Sequence, residues 1–172
     1  MLLAPPACVK AQDSLQPWKI TRLTTSGLPY RSEAACHDPL NTIAVEIQDP
    51  NVYLGLNSTG PEIQITQCIA KFPYCSPPYH QPFNCTDIPS LHGMWSFTFF
   101  PTNEGADTKF WNPGQNFSLS FQLLLPQAGD RRRHTGQASF SVWENLRGLC
   151  SAGGVCSFSL REEVAPVSIP VE

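Results

Sequence analysis

The sequence predicts an all-β chain: an antiparallel β-sandwich of the immunoglobulin-like kind, with disulfide-stapled loops. Three observations predict it. Apolar residues recur with period two in seven stretches, the pattern of strands with one buried face. Clusters of Gly, Asn and Pro separate those stretches. Seven cysteines accompany a charged fraction of only 15% in 172 residues, a length that suits one domain with its own core.

Taken in order, PWKITRL (17–23) sets Trp18, Ile20 and Arg22 against Lys19, Thr21 and Leu23. TIAVEI (42–47) places Ile43, Val45 and Ile47 on one face, and EIQITQCI (62–69) does the same with Ile63, Ile65 and Ile69. MWSFTFF (94–100) alternates Met94, Ser96 and Thr98 with Trp95, Phe97 and Phe99. FSLSFQLLL (117–125) presents Phe117, Leu119, Phe121 and Leu123, while ASFSVW (138–143) and VCSFSLR (155–161) alternate apolar residues with Ser. STGP, NPGQ, QAGD and SAGG supply the turns. WENLRGL (143–149) offers at most one helical turn, ended by Gly148. Three units follow: 1–11 as the remnant of a signal peptide, 12–161 as the sandwich, and 162–172, with two prolines, as a linker or tail.

The odd cysteine count asks for an explanation. Val9-Lys10-Ala11 has small residues where a signal peptidase requires them, and a cut there removes Cys8 and leaves six. An ordinary N-terminal arm is the competing reading. Cys150 and Cys156 flank a Gly-rich turn between two strands and are expected to pair. Cys75 and Cys85 would close the stretch FPYCSPPYHQPFNC (72–85), leaving Cys36 and Cys68, although six cysteines allow fifteen connectivities. Acceptor sequons at Asn57, Asn84 and Asn116 agree with an oxidising, glycosylating compartment. No apolar run reaches the roughly 20 residues that span a bilayer, so no direct membrane insertion is expected of these residues.

A net charge of −3 gives no footprint for nucleic acid. Arg131 to Arg133 read as a solvated turn; a proprotein cleavage site is the sharper alternative, weakened by Asp130 before them. The histidines, His37, His80, His92 and His134, lack metal-ligand spacing, so no metal or cofactor is expected. Cys36 and His37 adjoin, but nothing identifies a third group to orient them. No catalytic residues, and no enzyme, are expected.

Two stretches carry a resemblance. PWKITRLTTSG (17–27) resembles the opening strand, W-x-I-T-x-L-x-T-G, of the receptor-binding domain of gammaretrovirus-type envelope surface subunits, with Ser26 as one extra residue. WNPGQNFSLSF (111–121) is similar to the W-x-x-G-x-x-W-G-L-x-L that ends the family's domain. Trp111, Gly114 and Leu119 keep the spacing, and Phe117, Ser118 and Phe121 replace Trp, Gly and Leu. Between them, YCSPPYHQPFNC (74–85) resembles the Cys-Pro loop on the family's receptor-contacting face. The departures are the family's Ser-Pro-His-Gln, replaced by 13–16, and its Asp-Leu-Cys, absent from 45–49; no C-x-x-C occurs.

The resemblance implies an envelope-type glycoprotein, viral or endogenous retroviral, secreted or held on a virion or cell surface within a larger precursor. Its partner would be a host multi-pass membrane receptor such as a solute transporter. Tyr74, Tyr79, His80 and Phe83 are the candidate receptor contacts. Without fusion machinery the chain would bind a receptor and block it rather than fuse membranes. The alternative is a host immunoglobulin-like adhesion or immune ectodomain.

Overall fold

The computed structural model describes residues 15–28, 40–51, 53, 63–73, 76, 78–85, 93–102, 116–125 and 132–172. Among the described residues, ten strands build two antiparallel sheets. The first contains β1 (Trp18–Gly27), β2 (Leu40–Asp49), β3 (Gln64–Pro73), β8 (Leu146–Cys150), β9 (Cys156–Leu160) and β10 (Val167–Ile169). The second contains β4 (Pro82–Asn84), β5 (Met94–Pro101), β6 (Phe117–Leu125) and β7 (Arg132–Phe140). The chain runs β1 to β3 as a meander and crosses to the second sheet for the β4–β7 meander. It then returns as the β8–β9 hairpin on the other side of β1, giving the order β3-β2-β1-β9-β8.

The core lies between the inner faces. Phe97, Phe99, Phe117, Phe121 and Phe140 are almost fully buried on the second sheet, and Ile43, Val45 and Ile47 face them from β2. Each such side chain contributes about 1.5–3 kcal/mol on burial. Trp18 of β1 meets Trp95 of β5 edge-on, their centroids 4.5 Å apart, and so couples the sheets at one end. At the other end Phe72 of β3 meets Phe99 of β5 at 5.8 Å.

Strand β1 does not keep the expected alternation. Trp18 and Ile20 point inward, but so do Leu23 and Thr25, while Arg22 is exposed. The cause is an irregularity in the β1–β2 register between Ile20 and Arg22, which inserts one residue and switches the inward parity. It falls where β1 changes neighbours. Trp18–Ile20 pairs with β10, whereas Thr24–Gly27 pairs with β9.

The face expected of β3 is reversed. Ile63, Ile65 and Ile69 are 58%, 57% and 40% exposed, and Thr66, Cys68, Ala70 and Phe72 are buried instead. Register explains it. Directly opposed residues share a face, and inward Ile43, Val45 and Ile47 lie opposite Ala70, Cys68 and Thr66.

The second half of the chain departs further from expectation. Strand β7 begins at Arg132, so Arg132 and Arg133 are exposed strand residues opposite Leu125 and Leu124, not a turn. It ends at Phe140, before the turn at 142–145 that precedes β8. Residues 162–172 are not a linker throughout. Val167–Ile169 forms β10, Ile169 is fully buried, and Glu172 exchanges backbone hydrogen bonds of 2.9 and 3.0 Å with Thr135 of β7. The terminal segment thus ties the first sheet to the second.

Candidate binding site

The stretch from Phe72 to Cys85 carries the chain from β3 to β4. Of its cysteines, Cys85 pairs with Cys68, not with Cys75, and the Cα atoms are 4.1 Å apart. Because Cys68 lies in β3 and Cys85 follows β4, this disulfide joins the two sheets at one side of the sandwich. The expected pairing of Cys36 with Cys68 is excluded by the same bond. Cys36, Cys75, Tyr74 and Asn57 lie outside the described residues. Cys150 and Cys156 pair as the turn chemistry predicts; they are opposite each other in the β8–β9 ladder.

Four anchors hold residues 78–85 against the core. Pro78 is buried. Tyr79 is 8% exposed and forms a parallel bridge to Phe99, so its side chain packs inward and is not available as a contact. Burial accordingly pushes its phenol pKa upward. Phe83 is half-buried, with ring centroids 5.7, 5.8 and 6.2 Å from Phe97, Phe99 and Phe72. Cys85 donates its N–H to the Trp95 carbonyl at 2.9 Å and is bridged to Cys68.

His80 is the exception among the candidate aromatics of this segment. It is exposed, at φ 62°, with its N–H on the Phe99 carbonyl at 2.9 Å. Its ring stands edge-on to Phe100, with centroids 5.2 Å apart. A left-handed conformation is uncommon for a non-glycine residue and costs about 1–2 kcal/mol. It turns the chain immediately after Tyr79, and the Gln81 N–H reaches the Pro78 carbonyl at 3.4 Å. Pro82 and Asn84 are exposed on either side of Phe83, so strand alternation aims the Asn84 sequon away from the core. Asn116, just before β6, is exposed as well.

A polar cluster closes the opposite end. Asp49, buried at the end of β2, accepts hydrogen bonds from Asn51 N (2.9 Å), Asn51 Nδ2 (2.8 Å) and Tyr53 Oη (2.8 Å). Trp18 Nε1 is buried nearby and also favours the Asp49 carboxylate. Desolvation dominates over these donors and raises the Asp49 pKa. Desolvation, and secondarily the Asp49 charge, likewise raise the Tyr53 pKa. Asn51 also clasps the backbone of Gln16, accepting from its N–H at 2.7 Å and donating to its carbonyl at 2.9 Å. The ring of Tyr53 lies 5.1 Å from that of His134. Asp-Pro-Asn is a turn signal in which the first carboxylate receives the N–H two residues on. That turn signal is the mark this cluster leaves in the sequence.

Among the described residues no three His, Cys, Asp or Glu side chains are grouped to hold a metal, and no described helix is long and apolar enough to cross a membrane. Comparison of the chain with family models, with curated proteins and with solved structures found no match.

Proposed function

We propose that this protein is an extracellular binding module that engages a membrane-protein receptor through the His80 segment, in the manner of the receptor-binding domain of a retroviral-type envelope surface subunit. The observation that carries the reading is the clamp on residues 78–85. Tyr79, Phe83 and the Cys68–Cys85 bridge fix both ends of the segment, and His80 projects from it at φ 62°. A segment ordered before it meets its partner loses little entropy on docking. The two disulfides among the described residues support an oxidising compartment. The sequence resemblance supplies the receptor class, a multi-pass membrane protein such as a solute transporter. Occupying that receptor would let this module block other ligands of the same receptor.

His80→Gly tests this reading. Glycine accepts φ 62° without strain, so the variant should fold at least as stably as the parent while losing the imidazole. Secreted parent and variant are titrated onto a panel of cell lines up to about 10 μM. Saturable binding by the parent, weakened about tenfold or more in the variant, supports the reading. No binding by the parent to any line, or equal binding by both, rejects it. A host adhesion-type ectodomain is the second reading, favoured by the disulfide that bridges the two sheets. Binding confined to another single-pass ectodomain would select it.

A further inference from the structure

Trp143 is 84% exposed, the most exposed of the large hydrophobic side chains among the described residues. It does not sit on a loosely held loop. The Ser141 carbonyl accepts the N–H groups of Glu144 (3.2 Å), Asn145 (3.1 Å) and Leu146 (2.9 Å). The Ser141 hydroxyl accepts the Trp143 N–H at 3.2 Å, and the Asn145 side chain receives the Ser141 N–H at 2.9 Å while donating to the Ser139 carbonyl at 2.9 Å. Arg161 then joins this turn to the turn that follows β9. Its N–H bonds the Asn145 carbonyl at 2.9 Å, and its guanidinium bonds the Leu146 and Val142 carbonyls at 3.1 Å each.

This hydrogen-bonded double turn holds an indole in water, and the fold gains nothing from its exposure. Glu144, Glu162 and Glu163 are exposed on the same two turns, and none forms an ion pair with another described residue. Among the described residues of these two turns the one cation, Arg161, is half-buried and donates to backbone carbonyls. An exposed tryptophan that shares two hydrogen-bonded turns with three exposed carboxylates suits a cation that can stack on the ring and pair with the acids. Rigid, pre-ordered tryptophans are also the side chains most enriched among interface hot spots.

We infer that the Trp143 double turn is a second docking surface, separate from the His80 segment, for a protein partner that presents an arginine or lysine side chain to the indole. The carboxylates of Glu144, Glu162 and Glu163 select the positive charge, and Trp143 supplies the contact area. The interaction weakens with salt, because these carboxylates are exposed.

The test uses the 15N-labelled protein and three short peptides: alternating arginine and glycine, alternating lysine and glycine, and alternating citrulline and glycine. Citrulline keeps the shape of arginine without its charge. The indole N–H signal of Trp143 is assigned by its loss in Trp143→Phe and followed by NMR during each titration. Saturable shifts with the two cationic peptides, about tenfold weaker affinity in Glu162→Gln/Glu163→Gln and no binding by Trp143→Ala are expected. Unchanged thermal unfolding of Trp143→Ala shows that the loss is not one of folding. Equal binding of the citrulline peptide, or undiminished binding by either variant, overturns the inference. So does broadening of the Trp143 signal with protein concentration alone, which would make a second copy of the chain the occupant.

Discussion

Cys68 and Cys85 are 17 residues apart in the chain, yet they join two different sheets. The bond closes the loop that contains the crossover from β3 to β4, and it fixes one end of the His80 segment. In the chain-entropy picture a loop of this length is worth about 3 kcal/mol, against about 2 kcal/mol for the 6-residue separation of Cys150 and Cys156. Cys68→Ala/Cys85→Ala is therefore expected to lower the unfolding free energy more than Cys150→Ala/Cys156→Ala. Urea denaturation of the two double variants measures the difference. The reverse order would show that the inter-sheet bond is strained or that the crossover is held without it.

Asp49 gives the protein a specific pH signature. Burial holds its folded-state pKa above the unfolded value. Its contribution to stability is therefore complete below the unfolded pKa and is lost as the pH rises through the folded pKa. Asp49→Asn does not titrate and keeps an acceptor for Asn51. Its stability relative to the parent should improve as the pH is raised from about 3 to about 8. Denaturant unfolding of both proteins across that range is the measurement, and a pH-independent difference contradicts the assignment.

Gly136 of β7 faces the terminal segment. A β-carbon there would come within 2.6 Å of Ile169 Cγ2, 2.7 Å of the Pro170 carbonyl oxygen and 3.3 Å of Trp18 Cε3. The carbonyl cannot step aside without disturbing the pairing of Glu172 with Thr135. Gly136→Ala should destabilise the fold by about 1–3 kcal/mol and expose 167–172 to hydrogen exchange. Slow exchange at Thr135 and Ile169 in the variant would show that the segment docks without this close approach.

The reversed face of β3 makes an opposite pair of predictions. Ile65→Ala removes a side chain that is mostly in water and should cost under about 1 kcal/mol. Phe72→Ala removes a ring packed on Phe83 and Phe99 and should cost about 3–5 kcal/mol. Chemical denaturation of both separates this register from the one in which Ile63, Ile65 and Ile69 form the core.

The fold class was legible because alternation and turn residues are local signals. Ile43, Val45 and Ile47 of β2, the aromatic rows of β5 and β6, and the Cys150–Cys156 hairpin all lie where period two and Gly-rich turns predict. Both faces of β3 carry apolar residues, so alternation alone gives two equivalent answers there. The residue inserted in β1 between Ile20 and Arg22 leaves no mark on composition. β4, β8 and β10 are three to five residues long, too short to show a period. The candidate contacts divided for a similar reason. An aromatic residue in a Pro-rich stretch can face either way, and Tyr79 and Phe83 face inward while His80 faces out.

The sequence by itself determined that this chain is all-β, that its strands are half-buried, and that Cys150 and Cys156 bridge a hairpin, because these follow from periodicity, composition and loop chemistry. Only the tertiary structure decided which face of β3 is core and which cysteine meets Cys85. It alone turned the last residues into a strand joined to β7 and left Trp143 in solvent on a fixed turn. Each of those depends on pairing between residues far apart in sequence, and the register of such pairs is set by packing across the two sheets rather than by any local pattern.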